Sequence, residues 1–236
     1  MKIVGLSFVR SADRVGSLSW DTPLDVAGNE GASLLEHTVR ALGQMPYMDE
    51  VRVLTDDAEL AARGTVAGAE VGRLPDWFFA YAIPFFSKEQ WLLMRAMQAL
   101  RDAGSMGEVL LVADWRTPLV TPRTLETLYH KLMDDRVAAR SVGIYPLDPN
   151  LFLRTGETTF FPAWADIGAD RQVIPQLYRN LCVGAVRPDR LVMPSPETRG
   201  VRVSREEGLR ISDADALELA QFYIRRRGAN PAPARA

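Results

Sequence analysis

Short apolar runs alternate with helix-patterned segments along most of the chain, and this alternation constrains the fold more than any single motif does. "KIVGLSFV" (2–9) is short, apolar and β-branched, the pattern of a strand buried on both faces. "GASLLEHTVRALGQM" carries Leu34, Leu35, Thr38, Val39 and Leu42 at helical spacing, with Ser33 and Glu36 placed as a capping box. "DEVRVLTDD" reads as a second strand ending in a polar cluster, "DAELAARGTVAG" as a short helix closed by Gly68, and "AEVGRLP" as a weaker strand. "SKEQWLLMRAMQALRDAG" predicts an amphipathic helix capped at Ser87 and stopped near Gly104. "GEVLLVADW" predicts a central strand ending at Asp114, and "TPRTLETLYHKLMDD" a helix with proline in its first turn. "ARSVGIYPL" and "LCVGAVRPDRL" are further strands; "VRVSREEGLRIS" is strand plus turn, and "DADALELAQFYIRRR" a last helix. Strands alternating with helices predict a mostly parallel sheet covered on both faces. Residues 1–225 are expected to form one domain, with an irregular, aromatic stretch at 148–178 and a disordered small-residue tail at 226–236.

Composition excludes several classes of function. The net charge of −2 gives no electrostatic basis for binding nucleic acid or an anionic membrane. No run reaches the roughly 18 apolar residues needed to span a bilayer. "MKIVGLSFV" meets Arg10 too early for a signal peptide, so a cytoplasmic location is the expectation. Cys182 is the single cysteine, which rules out an intrachain disulfide and a cysteine-based zinc cage.

Open α/β sheets bind ligands beyond the carboxyl ends of their strands. That edge would present the loop after Val9, the cluster Thr55, Asp56 and Asp57, and the segment from Asp114. Each has a bland reading beside the functional one. The loop can be a nucleotide cradle or a solvated turn. The acidic cluster can touch a nucleoside or cap the next helix, and Asp114 can act in a site or only shape a turn. His37 and His130 lie inside helices, far apart, and read as packing or surface residues; the aromatic run 77–86 reads as buried or as a dimer contact.

Several segments, in order, resemble the acylneuraminate (sialic acid) type of sugar-activating cytidylyltransferase. "GASLLEHTVRAL" resembles the glycine, small residue and helix that follow that family's nucleotide loop. "DEVRVLTDDAELAARGTVAGAEV" is similar to its strand ending in "STDD", short helix and "GAEV", and "GRLP" to its arginine–proline turn. "LLVADWRTPLVTPRTLETL" resembles its strand, "SPLRT" turn and helix. "PQLYRNLCVGAVRPDRL" is similar to its "NGAIY" strand, and "ISDADALELAQ" to its "IDTEEDLELAE" motif. The likeness spans roughly residues 3 to 225 and rests on order and spacing. It implies a three-layer α/β/α nucleotidyltransferase fold, a homodimer built through 148–178, and transfer of CMP from CTP to an acidic sugar with release of pyrophosphate. Nucleotide contacts are implied for Gly16, Ser17, Thr55, Asp56 and Arg73, phosphate neutralisation for Arg10 and Arg14, and magnesium held by Asp114 with Asp213.

The sequence departs from that family at the charged positions. The family's loop arginine can be placed on Arg10, which lies at the right distance from the N-terminus, or on Arg14 of "RVGS", Arg14 to Ser17, which reproduces arginine–x–glycine–serine. Either way the family's two loop lysines are missing, since no lysine lies between Lys2 and Lys88; Asp13 or Leu18 stands near the first. Bidentate contacts from Arg10 and Arg14 are the expected compensation. The family's metal-holding aspartate pair aligns with Arg210 and Ser212, with Asp213 one position further on. The alternative to transfer is a family member that keeps the fold and acts as a binding or scaffold protein.

Overall fold

A computed structural model describes residues 1–13, 18–24, 31–75, 78, 88–135, 138–147, 153–155, 160–162, 177–191 and 197–229. The elements are β1 (Ile3–Val9), α1 (Leu34–Gly43), β2 (Glu50–Thr55), α2 (Ala58–Arg63), β3 (Thr65–Val66), β4 (Ala69–Arg73), α3 (Lys88–Asp102), β5 (Val109–Ala113), α4 (Pro122–Asp134), β6 (Arg140–Leu147), β7 (Leu153–Thr155), β8 (Phe160–Pro162), β9 (Leu177–Val186), β10 (Thr198–Arg202) and α5 (Ala214–Ala229).

Eight strands form one sheet in the order β10-β6-β9-β5-β1-β2-β4-β3. β2, β1 and β5 run parallel with β4 alongside, and β6 and β10 run parallel to each other. β9 enters antiparallel between β5 and β6, and β3 is an antiparallel edge strand. β7 and β8 pair separately as a small hairpin within 148–178.

β1 shows why the sheet must be covered twice. Ile3 and Val9 point into apolar clusters with α1, α4 and α5, and Val4 and Leu6 into a cluster with α3. All four are essentially inaccessible, so the chain buries a full strand on both faces, which only a three-layer arrangement can do. α1 begins as its residues dictate: Ser33 Oγ accepts the Glu36 N–H at 3.2 Å, and the Glu36 carboxylate accepts the Ser33 N–H at 3.1 Å. α4 starts at Pro122, behind the N-cap Thr121. β9 passes so close to β6 that a Cβ on Gly184 would lie 2.5 Å from the Ser141 carbonyl oxygen. Gly184 therefore sits where a register shift bends the pair.

Three boundaries differ from the sequence reading. α2 ends at Arg63 with Gly64 as its cap at φ 68°; Gly68, at φ 88° next to Ala67 at φ 47°, turns the β3–β4 hairpin instead. Two consecutive positive-φ residues are the signature of a two-residue hairpin turn, which outweighs helix continuation here. β9 begins at Leu177, inside the stretch read as irregular, and α5 continues to Ala229, into the stretch read as tail. The Ser87 cap, most of the aromatic run 77–86 and residues 230–236 lie outside the described residues; Phe78, within that run, is buried.

Candidate functional site

The register of the sheet aligns the expected site residues along one edge. Val9 pairs with Thr55, and Thr55 with Arg73, so Arg10, Asp56 and Arg73 leave β1, β2 and β4 side by side. Asp114 leaves β5 on the other flank of β1. Arg14, Gly16 and Ser17 lie outside the described residues.

Thr55 is fully buried, and its hydroxyl accepts the Asp57 N–H at 2.9 Å. Asp57 caps α2, accepting from the N–H groups of Glu59 and Leu60. The Asp56 carboxylate accepts the Ser11 N–H at 2.6 Å, tying the end of β2 to the loop after β1. Arg10 is half-buried and engaged, and Arg73 is exposed. Leu18, which stands near the first family lysine under one placement of the loop, is packed in the core with Trp20 and Leu24.

Asp114 is the most heavily bonded carboxylate of this edge. Its Oδ1 accepts the Arg116 N–H at 2.9 Å and Arg116 Nε at 3.0 Å. Its Oδ2 accepts Arg116 Nη2 at 2.7 Å and Arg210 Nη2 at 3.5 Å. Thr117 closes the turn by donating its N–H and hydroxyl to the Asp114 carbonyl at 2.9 and 2.7 Å. The turn that the sequence offered as the bland alternative is thus present, but with two guanidiniums gathered on it. Arg116 is readable in "DWR" as a residue that an aspartate turn can hold. Arg210, 96 positions away, reaches the site only because the Ile211 N–H bonds the Arg116 carbonyl at 2.8 Å. No local signal marks it.

Asp213 is exposed and accepts the Ala216 N–H at 2.8 Å as the cap of α5; that bond, and next the Ser212 hydroxyl, lower its pKa. Magnesium asks for hard oxygen donors with open lone pairs. Asp114 has both oxygens on guanidiniums and Asp213 is committed to its helix. No group of three or more metal-ligating side chains occurs among the described residues. This donor set does not fit magnesium.

The two histidines lie away from this edge. His37 is half-buried in α1 with its pKa lowered, mainly by burial, while a bond to Leu24 opposes the shift. His130 is exposed and 3.7 Å from Glu126 on the surface of α4. A cavity of about 570 Å3 opens at the opposite end of the sheet, lined among others by Met1, Met106, Met133, Arg101, Arg187 and Arg190.

Among solved structures, the chain is similar to CMP:2-keto-3-deoxy-manno-octonic acid synthetase complexed with CTP: TM-score 0.67 and 16% identity, over 96% of this chain and 100% of that one. It is also similar to 4-diphosphocytidyl-2C-methyl-D-erythritol synthase from Anaerococcus prevotii, at TM-score 0.61 and 11% identity over 95% and 96% of the two chains. A second structure of an enzyme of that name matches at TM-score 0.60 and 12% identity, over 94% and 97%. No protein-family model matches, and no curated protein sequence matches significantly. The fold is therefore that of the nucleotidyltransferases, over essentially the whole chain. None of the three structures is named for an acylneuraminate product. No helix among the described residues is long and apolar enough to cross a membrane.

Proposed function

We propose that the chain is a divergent cytidylyltransferase that takes CTP at the carboxyl edge of β1, β2, β4 and β5 and transfers CMP to an acidic sugar. The observation that carries this reading is the pair of guanidiniums, Arg116 and Arg210, gathered on Asp114 at the exit of β5. It lies on the edge where such sheets bind ligands. A synthetase crystallised with CTP, and named for an octonic acid, shares the fold and so supports this nucleotide and an acidic acceptor. Fold alone does not assign function, so the argument rests on the charges.

In the reaction, an acceptor hydroxyl oxygen bonds the α-phosphorus of CTP. The bond from that phosphorus to the β-bridging oxygen breaks, pyrophosphate leaves with the electron pair, and the hydroxyl proton passes to water. Such chemistry is mostly positioning and charge stabilisation. Arg10 and Arg14 are assigned to neutralise phosphate charge, Gly16 and Ser17 to contact the nucleotide, and Asp56 and Arg73 to border the nucleoside, with Thr55 buried behind them as a support for the turn into α2. A homodimer formed through 148–178 is the proposed assembly.

A second reading, a family member that keeps the fold and acts as a binding or scaffold protein without transfer, is favoured by the engagement of Asp114 and by the absence of lysine between Lys2 and Lys88. Both are tested by incubating the protein with CTP and a panel of acidic sugars, with and without magnesium, while pyrophosphate is measured. Release that needs an acceptor supports transfer. No release with any acceptor, at high protein concentration, overturns transfer and supports the second reading.

A further inference from the structure

We propose that Asp114, Arg116 and Arg210 form a metal-free phosphate subsite, in which the carboxylate orients two guanidiniums that carry the charge of the nucleotide's phosphates in place of a divalent cation. The inference rests on the nucleotide-binding part of the proposed function and on three features of the site.

The first is charge. Two guanidiniums, those of Arg116 and Arg210, gather on the single carboxylate of Asp114. A divalent cation placed at Asp114 would stand beside both guanidiniums and be repelled by them. The second is rigidity. Arg116 is held at its own N–H and at Nε and Nη2, so its fork points one way. Arg210 is fixed by its neighbour: Ile211 is buried in the core, and its N–H binds the Arg116 carbonyl. Both backbones are set before any ligand arrives, which is what a phosphate fork needs.

The third is the unequal grip on Asp114. Arg116 contacts it at 2.7 Å and is 16% exposed, whereas Arg210 contacts it at 3.5 Å and is 31% exposed. A charge-assisted bond is ordinarily about 2.7–2.9 Å. Arg210 is therefore the looser partner and the more accessible one, able to turn donors to a phosphate while Asp114 keeps Arg116. Asp114 is a positioning residue in this arrangement; the arginines meet the ligand.

The charge argument also gives the sign of a magnesium effect. Magnesium-bound CTP carries two fewer negative charges than free CTP, so a subsite that meets the phosphates with guanidiniums rather than a metal favours the free nucleotide. Titration calorimetry of the full chain with CTP, in EDTA and in excess magnesium, tests this, alongside Arg210→Gln and Arg210→Lys, with thermal melting to confirm folding. The expected result is wild-type affinity in EDTA equal to or tighter than in magnesium. Arg210→Gln should bind about tenfold more weakly in both media, and Arg210→Lys should fall between, because it keeps charge but loses the fork. Binding by the wild type only with magnesium, or unchanged affinity in folded Arg210→Gln, overturns the subsite and leaves the proposed function standing. No CTP binding in either medium overturns both.

Discussion

Asp114 and Glu207 flank the same connection from β5 to α4, yet they are satisfied by different chemistry. Glu207 accepts the hydroxyls of Thr124 and Thr121 at 2.5 and 2.7 Å, and the hydroxyl of Ser204 at 3.1 Å. Burial alone would raise its pKa, but these hydroxyls, with Arg227 nearby, outweigh burial and lower it. Its partners are neutral and aimed inward at the first turn of α4, where the helix dipole also favours a carboxylate. Asp114 is held by the guanidiniums of Arg116 and Arg210. A carboxylate satisfied by hydroxyls closes a joint, whereas one satisfied by arginines holds their guanidiniums in place at the strand edge.

The largest effect expected from this contrast is on stability. Glu207→Ala removes one acceptor from three hydroxyls and one backbone N–H and should cost about 2–3 kcal/mol. Chemical denaturation would read this as a lower midpoint at unchanged slope, and melting as a Tm lower by about 4–10 °C. CTP affinity per folded molecule should stay within about twofold, taking the usual small reach of distant substitutions. A parallel loss of affinity would break the division between joint and site.

The pH dependence sharpens it. Because the folded-state pKa of Glu207 is lowered, the unfolded chain binds more protons in the acid range, so stability falls with pH there. The stability gap between wild type and Glu207→Gln should be full above about pH 4.5 and shrink as pH drops through the lowered folded-state value. His37 is also lowered, so it contributes its own loss, beginning below about pH 6.5. Denaturation midpoints of wild type, Glu207→Gln and His37→Gln at several pH values would separate the two windows.

Asp114→Asn should show the reverse profile. It keeps the turn, since an amide oxygen can still accept the Arg116 N–H, but it releases the ionic hold on both arginines. A stability cost of about 1 kcal/mol is expected, because the group is part-buried and its partners can find water. CTP affinity in EDTA should fall about three- to tenfold through loss of orientation. The readout specific to positioning is partial recovery by Asp114→Glu, which keeps the charge. Affinity unchanged in Asp114→Asn would show that the arginines need no anchor.

The layers of the fold were legible in the sequence, for reasons visible in single elements. β1 and β5 are continuous apolar runs because both faces are covered, and α1 announces its start through Ser33 and Glu36. The sequence leaves Gly68 ambiguous, because a helix cap and a hairpin turn both use a positive-φ glycine, and only the pairing of β3 with β4 separates them. The site was legible as an edge but not as a constellation. Thr55, Asp56 and Arg73 fall where the strand ends put them, while the link from Arg210 to Asp114 depends on a tertiary contact across 96 positions. Alignment alone marked Arg210 only as a misfit.

Asp213 supplies the smallest and most discriminating test, because it is the other carboxylate expected to hold metal. It is exposed, its oxygens serve the Ala216 N–H and the Ser212 hydroxyl, and its carbonyl accepts the Leu217 N–H. Asp213→Ala should therefore lower Tm by less than Glu207→Ala does, while Asp213→Asn, which can still cap, should lower it less again. Neither should change CTP affinity in EDTA or its response to magnesium. If Asp213→Asn kept the melting temperature but lost a magnesium-dependent gain in CTP affinity, the carboxylate would be a ligand first and a cap second. The contrast between joint and site would then need a metal at its centre.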